Sequence, residues 1–236
     1  MSSKIYFKVT NRKECHHGLK YDNGSNILEG EFNADPNKSC VPGRLYFSDP
    51  ENICKFLSFG VYLREVYLPF DHPDFQMVKD PEGNKYGANM IILGKRRDLK
   101  DLETWKYMVS VGVDIHAYND YALMWASEKG YLEVVKYLVE NGADINADDS
   151  HSLRVASQKR RLAVVKYLVE NGANINAKNS QALVWASKNG NLALVKYLVQ
   201  NGADISAERN LAFRWASRNN HPNVAKYLTN ASKNKK

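Results

Sequence analysis

The sequence predicts a mainly α-helical solenoid of stacked repeats, preceded by a small α+β domain. The main observation is a period of 30 residues: positions 134–139 return as 164–169, 194–199 and 224–229. An eight-residue segment that begins at Asp120 returns with the same period. The third observation is that residues 1–97 lack this period and contain alternating apolar segments. A fixed interval of this size is typical of an architecture in which neighbouring units share one core.

Within one unit, the pattern predicts a helix, a turn, a second helix and a loop. The predicted helix pairs cover about residues 120–141, 150–171, 180–201 and 210–230. A glycine that tolerates positive φ should end each second helix: Gly112, Gly142, Gly172 and Gly202. Each first helix should begin at a residue whose side chain caps the free N–H groups of its first turn: Asp120, Ser150, Ser180 and Asn210.

The core of such a stack must lie between units, because one helix pair has too little apolar surface of its own. An alanine recurs in each first helix and lets the backbones approach closely: Ala126, Ala156, Ala186 and Ala216. Large aromatic side chains bury extensive area. We therefore expect Trp125, Trp185 and Trp215 to fill the layer between helices.

The segment 130–147 resembles the second half of an ankyrin repeat, and the resemblance covers roughly residues 101–230. The family's period is about 33 residues, so about three are missing here, between Ala147 and Leu153. The family's Thr-Pro-Leu-His is replaced by residues 121–124, which predicts blunt tips between units. In these respects the chain is similar to the ankyrin-repeat proteins of mimivirus-like giant viruses. The resemblance implies a non-enzymatic protein that binds another protein through the concave face of its stack.

The sequence divides into an N-terminal α+β domain, 1–97, and a repeat domain, 98–236. Residues 101–111 match a second helix without a first one, since Lys95, Arg96 and Arg97 occupy positions that a first helix would bury. We therefore expect the N-terminal domain to cap this lone helix. Strands are predicted at 5–9, 44–48, 61–69 and 88–93, with a short one near Ile27, and a helix is predicted to open at Asp49-Pro50 and end at Gly60.

The candidate binding residues are those that differ between otherwise regular units, because a repeat varies where its framework does not dictate the residue. The resemblance places them on or beside the concave face. They are Met124, Glu128, Lys129, Arg154, Gln158, Lys159, Val184, Lys188, Asn189, Arg214, Arg218 and Asn219. Their positive charge favours an acidic protein partner. A row of lysines on the second helices is interpreted as a solvated face that Glu140 and Glu170 partly neutralise: Lys136, Lys166, Lys196 and Lys226.

The composition predicts an intracellular protein, and the resemblance to viral proteins implies the cytoplasm or nucleus of a host cell, where we expect a monomer. No apolar run approaches the roughly 18 residues that a membrane span requires. The net charge of +7 is too small and too dispersed to favour a nucleic-acid partner. Cys15, Cys40 and Cys54 form no Cys-x-x-Cys pair, which is typical of reduced thiols. A zinc site built from them with His16 and His17 is an alternative, but we expect neither a metal nor a cofactor.

The alternative function is an enzyme, or the remnant of one, in residues 1–97, with the stack as its targeting arm. His17-Gly18 followed by Tyr46 and residues 64–68 resembles ADP-ribosyltransferases, whose histidine and tyrosine line the nicotinamide cofactor. No acidic residue near Met90 stands where that family's catalytic glutamate would be. No paired carboxylates, phosphate-binding loop or nucleophile elbow is present elsewhere. We therefore predict no catalytic residue.

Overall fold

The structure is a computed structural model that describes residues 5–16 and 18–233. The chain divides into two compact units, Met1–Tyr118 and Asn119–Lys236. A strand-rich region precedes a run of helices, so the predicted fold class is confirmed. The described strands are β1 (Tyr6–Thr10), β2 (Cys15–His16), β3 (Leu19–Lys20), β4 (Gly24–Ile27), β5 (Leu45–Phe47), β6 (Tyr62–Tyr67), β7 (Met77–Lys79), β8 (Tyr86–Ala88) and β9 (Met90–Asp98).

The described helices begin with a 3-10 helix at Ile53–Phe59. The α-helices are α1 (Leu102–Ser110), α2 (Ala117–Lys129), α3 (Leu132–Glu140), α4 (Ala147–Gln158), α5 (Leu162–Glu170), α6 (Ala177–Lys188), α7 (Leu192–Gln200), α8 (Ala207–Arg218) and α9 (Pro222–Lys233). The four predicted helix pairs are therefore present as α2 to α9, and the lone helix as α1.

The N-terminal unit contains a four-stranded antiparallel sheet in the order β1-β6-β9-β4 and a three-stranded sheet in the order β5-β8-β7. The backbones of Phe7 and Ser48 form a bridge next to β5. Tyr6, Leu45, Phe47 and Ile91 belong to one buried core. The predicted strands are confirmed as β1, β5, β6 and β9, and the short strand near Ile27 as β4.

The predicted helix at Asp49-Pro50 begins later than expected and is a 3-10 helix. The carboxylate of Asp49 accepts a hydrogen bond from the backbone N–H of Asn52 at 3.0 Å, so this residue closes a turn before the helix begins at Ile53. Ile53, Cys54 and Leu57 are buried by the helix. Cys54 and Leu57 are three residues apart, a spacing at which the side chains of a 3-10 helix align.

Helix α1 lies in the same compact unit as the strands. The Trp105 indole N–H donates to the carbonyl of Leu99 at 2.8 Å, and the Tyr107 ring lies 3.5 Å from the Arg97 guanidinium. Arg97 also pairs with Glu65 at 3.0 Å on the adjacent strand. Residues 95–97 are thus in β9 and not in a helix, as their charge predicted. The compact unit extends to Tyr118, and the domain bounds 1–97 and 98–236 stay a prediction.

Within the range of each first helix, three consecutive residues near its start have positive φ, and the right-handed part of the helix follows them in place of the predicted capping turn. Asp148, Asp149 and Ser150 have φ values of 48°, 55° and 56°. The same geometry recurs at 118–120, 178–180 and 208–210. A non-glycine residue in this region costs roughly 1–2 kcal/mol, so the turn needs compensating contacts.

Hydrogen bonds to the next unit supply those contacts, which is why Ser150 does not cap its own helix. Ser150 Oγ donates to Asn146 Oδ1 at 2.6 Å, and both oxygens accept from the backbone N–H of Asn174, at 3.1 and 2.9 Å. One unit later, Asn176 and Ser180 bind the N–H of Asp204 at 2.8 and 3.1 Å. The prediction that Ser150 and Ser180 are N-caps is therefore wrong.

The positive φ of the four predicted glycines is confirmed, with values between 84° and 95°. A Cβ added at Gly172 would meet no atom within 4 Å, so a substitution there tests the backbone alone. Arg209, with a φ of 54°, offers a matched exposed position.

We predict that glycine is more stabilising than alanine at both of these positions. Gly172→Ala should lower the free energy of unfolding by about 1 kcal/mol. At position 209, the free energy of unfolding of Arg209→Gly should exceed that of Arg209→Ala by about the same amount. Urea unfolding followed by circular dichroism measures both differences. In a right-handed helix the order at 209 would reverse, because alanine is then better than glycine by about 1 kcal/mol.

Buried hydroxyls occupy one position of three first helices. Ser127, Ser157 and Ser187 are fully buried, and their Oγ atoms have no hydrogen-bond partner among the described residues. A buried polar atom without a partner costs about 1–3 kcal/mol. We predict that Ser157→Ala raises the melting temperature, whereas Ser217→Ala, at the exposed equivalent, should leave it unchanged. A loss of stability in Ser157→Ala would contradict the conclusion that the Ser157 hydroxyl is buried without a hydrogen-bond partner.

Candidate partner-binding surface

The predicted binding residues gather along the first helices of the stack. All twelve lie in α2, α4, α6 or α8, or in the residue that follows the helix. Helices α4, α6 and α8 pack side by side, so equivalent positions in consecutive units are neighbours. The structure therefore brings the C-terminal ends of these helices together, including Gln158, Lys188 and Arg218.

The centre of this surface is formed by tryptophans and cations. Lys188 Nζ lies 4.9 Å from the centroid of Trp185 and 4.6 Å from that of Trp215. The Arg218 guanidinium lies 6.0 Å from the Trp215 ring. Contacts of this length are attractive, because the face of the ring is electron-rich. We call Trp185, Lys188, Trp215 and Arg218 the tryptophan–cation row.

The expectation that all three tryptophans fill the core is wrong for two of them. Trp125 is 1% exposed and belongs to the core. Trp185 and Trp215 are half-buried, so each presents part of its ring to solvent. Their shared contact with Lys188 lies at the surface. Sequence periodicity could not separate these cases, since the same residue type recurs at the same position.

Other predicted residues connect one unit to the next. Lys159 pairs with Glu128 at 3.1 Å, and Asn189 Nδ2 donates to the carbonyl of Gln158 at 2.7 Å. His221 Nε2 donates to the carbonyl of Lys188 at 3.0 Å. These contacts hold the C-terminal ends of α2, α4 and α6. Glu128 and Asn189 thus have structural contacts in addition to their place on the surface.

Arg154 and Val184 do not offer free side chains to a partner. The Arg154 side chain is 14% exposed, and its guanidinium donates to the carbonyls of Asp148 and Asp149 at 2.8 and 3.1 Å and to Gln181 Oε1 at 2.7 Å. It stabilises the left-handed turn by donating to two of its carbonyls. Val184 is buried at 9% exposure. That these two residues contact a partner stays a prediction, and both side chains are largely inaccessible.

The remaining predicted residues are accessible. Met124 and Lys129 are half-buried, and Lys129 Nζ lies 5.9 Å from the Trp125 ring. Arg214 donates to the carbonyl of Glu208 at 2.7 Å and is otherwise exposed. Lys159, Arg218 and Asn219 are exposed. The accessible charge of this surface is mainly positive.

The lysines of the second helices have different neighbours. Lys136 pairs with Glu133 at 2.9 Å, and that hydrogen bond raises the pKa of the lysine. Lys166 and Lys196 lie 5.7 and 5.9 Å from the rings of Tyr197 and Tyr227 in the following unit. These lysines are surface cations on the second helices, and they serve as a matched control for the cations on the first helices.

Within residues 5–16 and 18–233, no group of three or more His, Cys, Asp or Glu side chains could hold a metal ion. Cys15 is half-buried, Cys40 is exposed and Cys54 is buried. Burial, with a smaller contribution from Asp114, raises the pKa of Cys54 to about 12. His17, proposed above as a zinc ligand and as a cofactor contact, lies outside the described residues.

Tyr46 uses both hydrogen-bonding functions of its hydroxyl within the protein. The hydroxyl accepts from the backbone N–H of Val41 at 2.8 Å and donates to the carbonyl of the same residue at 3.1 Å. Its position in β5 is thus explained by the loop that it holds.

None of the described helices has the length and apolarity that crossing a membrane requires.

The chain matches the sequence model of ankyrin repeats over residues 95–179 and 153–236. It is 58% identical over 133 residues to putative ankyrin repeat protein R868 of Acanthamoeba polyphaga mimivirus, covering 56% of this chain and 65% of that protein. It is 59% identical over 133 residues to uncharacterized protein R869 of the same virus, covering 56% and 96%. Putative ankyrin repeat protein R896 of that virus is 50% identical over 127 residues, covering 54% and 38%. The match spans less than two thirds of R868 and R896.

The contrast between the tryptophans can be tested by truncation. We predict that Trp125→Ala lowers the free energy of unfolding by about 3–5 kcal/mol, because the ring is fully packed. Trp185→Ala should cost clearly less, since part of its ring is already in solvent. Chemical unfolding of both variants measures the difference. Equal losses would mean that Trp185 belongs to the core after all.

Proposed function

This chain belongs to the ankyrin-repeat family, and we propose that it is a non-enzymatic module that binds a host or viral protein through the concave face of its stack. Ankyrin repeats generally mediate protein–protein interaction. The chain's viral relatives support a role in an infected cell, and we propose that it acts as a monomer in the host cytoplasm or nucleus. Because the match covers only part of some relatives, their whole activities are not transferred to this chain.

The observation that carries the proposal is the tryptophan–cation row. Binding energy at protein interfaces is concentrated in a few residues, among which tryptophan and arginine are enriched. Trp185 and Trp215 are held in place by the packed helices, so little side-chain entropy is lost when a partner covers them. Lys188 Nζ contacts both rings, at 4.9 and 4.6 Å. A partner would therefore meet a pre-organised apolar surface with cations at its edge.

The charge of the surface favours an acidic partner. The accessible cations are Lys129, Lys159, Lys188, Arg214 and Arg218. The single acidic residue among the twelve candidates is Glu128, which Lys159 already pairs at 3.1 Å. Complementary charge accelerates association and disfavours basic partners. We therefore propose a partner that presents apolar side chains flanked by carboxylates.

The alternative, an ADP-ribosyltransferase-like activity of the N-terminal domain, gains no support from Tyr46. Its hydroxyl is engaged at both functions by Val41. The second residue of that resemblance, His17, lies outside the described residues. We therefore retain protein binding as the proposed function.

The proposal is tested with two matched double variants. We predict that Lys188→Glu with Arg218→Glu weakens binding by about 2 kcal/mol or more, because each change removes a cation–ring contact and repels an acidic partner. Lys166→Glu with Lys196→Glu makes the same change of charge beside tyrosine rings on the second helices. It should mainly alter the salt dependence, since exposed charges are screened. The measurement is affinity capture from an Acanthamoeba lysate with the full chain, followed by titration of the recovered protein.

Circular dichroism of both variants controls for folding. A recovered protein that is retained by the first variant and lost by the second would move the binding site to the second helices. A partner bound equally by both variants would contradict binding through the row of first helices.

A further inference from the structure

The N-terminal unit contains an aromatic pocket that the proposed protein binding does not use. It has a volume of about 80 Å³ and lies between β1, β2, β5 and the 3-10 helix. Four phenylalanines line it: Phe7, Phe47, Phe56 and Phe59. The ring of His16 stands edge-on to Phe59 and Tyr46, with centroids 6.5 and 6.4 Å away. Phe59 is 60% exposed and so forms the rim.

Two lysines and no carboxylate line this pocket. Lys85 already has anionic neighbours, since its Nζ lies 3.5 Å from Asp80, and it donates to Ser39 Oγ at 3.0 Å. Burial would lower the pKa of Lys85, but a hydrogen bond to Cys40 and the charges of Asp80 and Glu82 outweigh it and raise the value. This ammonium therefore stays charged at neutral pH.

Lys8 differs because it is buried without a counter-ion. It is 5% exposed, its Nζ donates to the carbonyl of Tyr46 at 2.7 Å, and it lies 4.4 Å from the ring of Tyr21. Within the described residues it forms no ion pair. Burial lowers its pKa to about 7. A buried amine of this kind is costly unless an anion pairs with it.

The size and the walls of the pocket define what could provide that anion. At about 10–15 Å³ for each water-sized site, the volume corresponds to about five to eight such sites, which suits a single ring. Aromatic walls favour a planar ring through stacked and edge-on contacts. A carboxylate on that ring would find Lys8 and Lys85 as partners.

We propose that this pocket binds a small aromatic carboxylate, with the ring between the phenylalanine walls and the carboxylate at Lys8. The site is independent of the repeat stack. Its ligand would complete the missing ion pair of Lys8.

The test is a calorimetric titration of the full chain with benzoate, and with its neutral analogue benzamide. We expect saturable binding of benzoate and at least tenfold weaker binding of benzamide, since a hydrogen bond to a charged group is worth about a factor of ten or more. Lys8→Met should weaken the binding of benzoate by the same factor. The same variant should melt higher than the parent at pH 7, because it removes a buried amine that no anion pairs.

A matched pair of rim variants keeps the proposal testable if Lys8→Met fails to fold. Phe59 lines the pocket and Phe70 does not, and the two are 60% and 62% exposed. Phe59→Ala should weaken the affinity for benzoate severalfold, and Phe70→Ala should leave that affinity unchanged. Equal effects of the two variants would overturn the proposal.

Binding should also weaken as the pH rises from 6 to 8.5, because the ammonium of Lys8 loses its proton around pH 7. The other ionisable groups that line the pocket are Cys15, His16, Tyr46 and Lys85, and Tyr21 faces Lys8 at 4.4 Å. A His16→Gln variant separates the titration of the imidazole from that of Lys8. Benzoate binding that is absent, or equal to that of benzamide, or unchanged in Lys8→Met, would show that the pocket is not this site.

Discussion

The repeat stack depends on hydrogen bonds that cross from one unit to the next at the left-handed turns. Ser150 and Asn146 bind the backbone N–H of Asn174, at 3.1 and 2.9 Å, in the unit that follows. Three residues at positive φ cost several kcal/mol in total, and the turn is maintained because a neighbouring unit uses the oxygens that it presents. Ser150 is fully buried there, whereas Asn210, at the same position in the last unit, is exposed. Stability is therefore coupled between neighbours, as in a one-dimensional array.

The period and the glycines could be predicted because they depend on local chemistry. An apolar face at helical spacing forms a helix in any unit, and Gly172 must accept a φ of 93° wherever its chain turns. The capping role assigned to Ser150 failed for the opposite reason. A serine before a helix normally accepts a hydrogen bond from its own first turn. Here Ser150 Oγ instead accepts from the backbone N–H of Asn174, which is 24 residues along the chain. Local sequence does not contain that neighbour.

The candidate surface was only partly predictable, because chemical type does not determine exposure. Trp125 and Trp185 occupy equivalent positions, and only the first is fully buried. Arg154 has the charge of a binding residue, yet it donates to the carbonyls of a turn whose geometry the sequence did not predict. In the N-terminal unit, Lys8 and Arg64 are both buried cations, and Arg64 pairs with Glu14 at 2.5 Å. Lys8 has no such partner in the part of the chain that the structure describes, and only the fold distinguishes the two cations.

Part of the variation between units preserves one structural contact and therefore does not indicate a binding surface. In three of the four first helices, α2, α4 and α6, a carbonyl near the C-terminal end is bound by the following unit, through Arg161 Nε at 3.0 Å, Asn189 Nδ2 at 2.7 Å and His221 Nε2 at 3.0 Å. Three different side chains thus satisfy the same structural requirement. The variation that remains after this contact is removed includes Lys188 and Arg218, whose side chains contact half-exposed tryptophans instead of backbone. Because these two cations lie beside partly exposed rings, they are the residues at which we propose recognition.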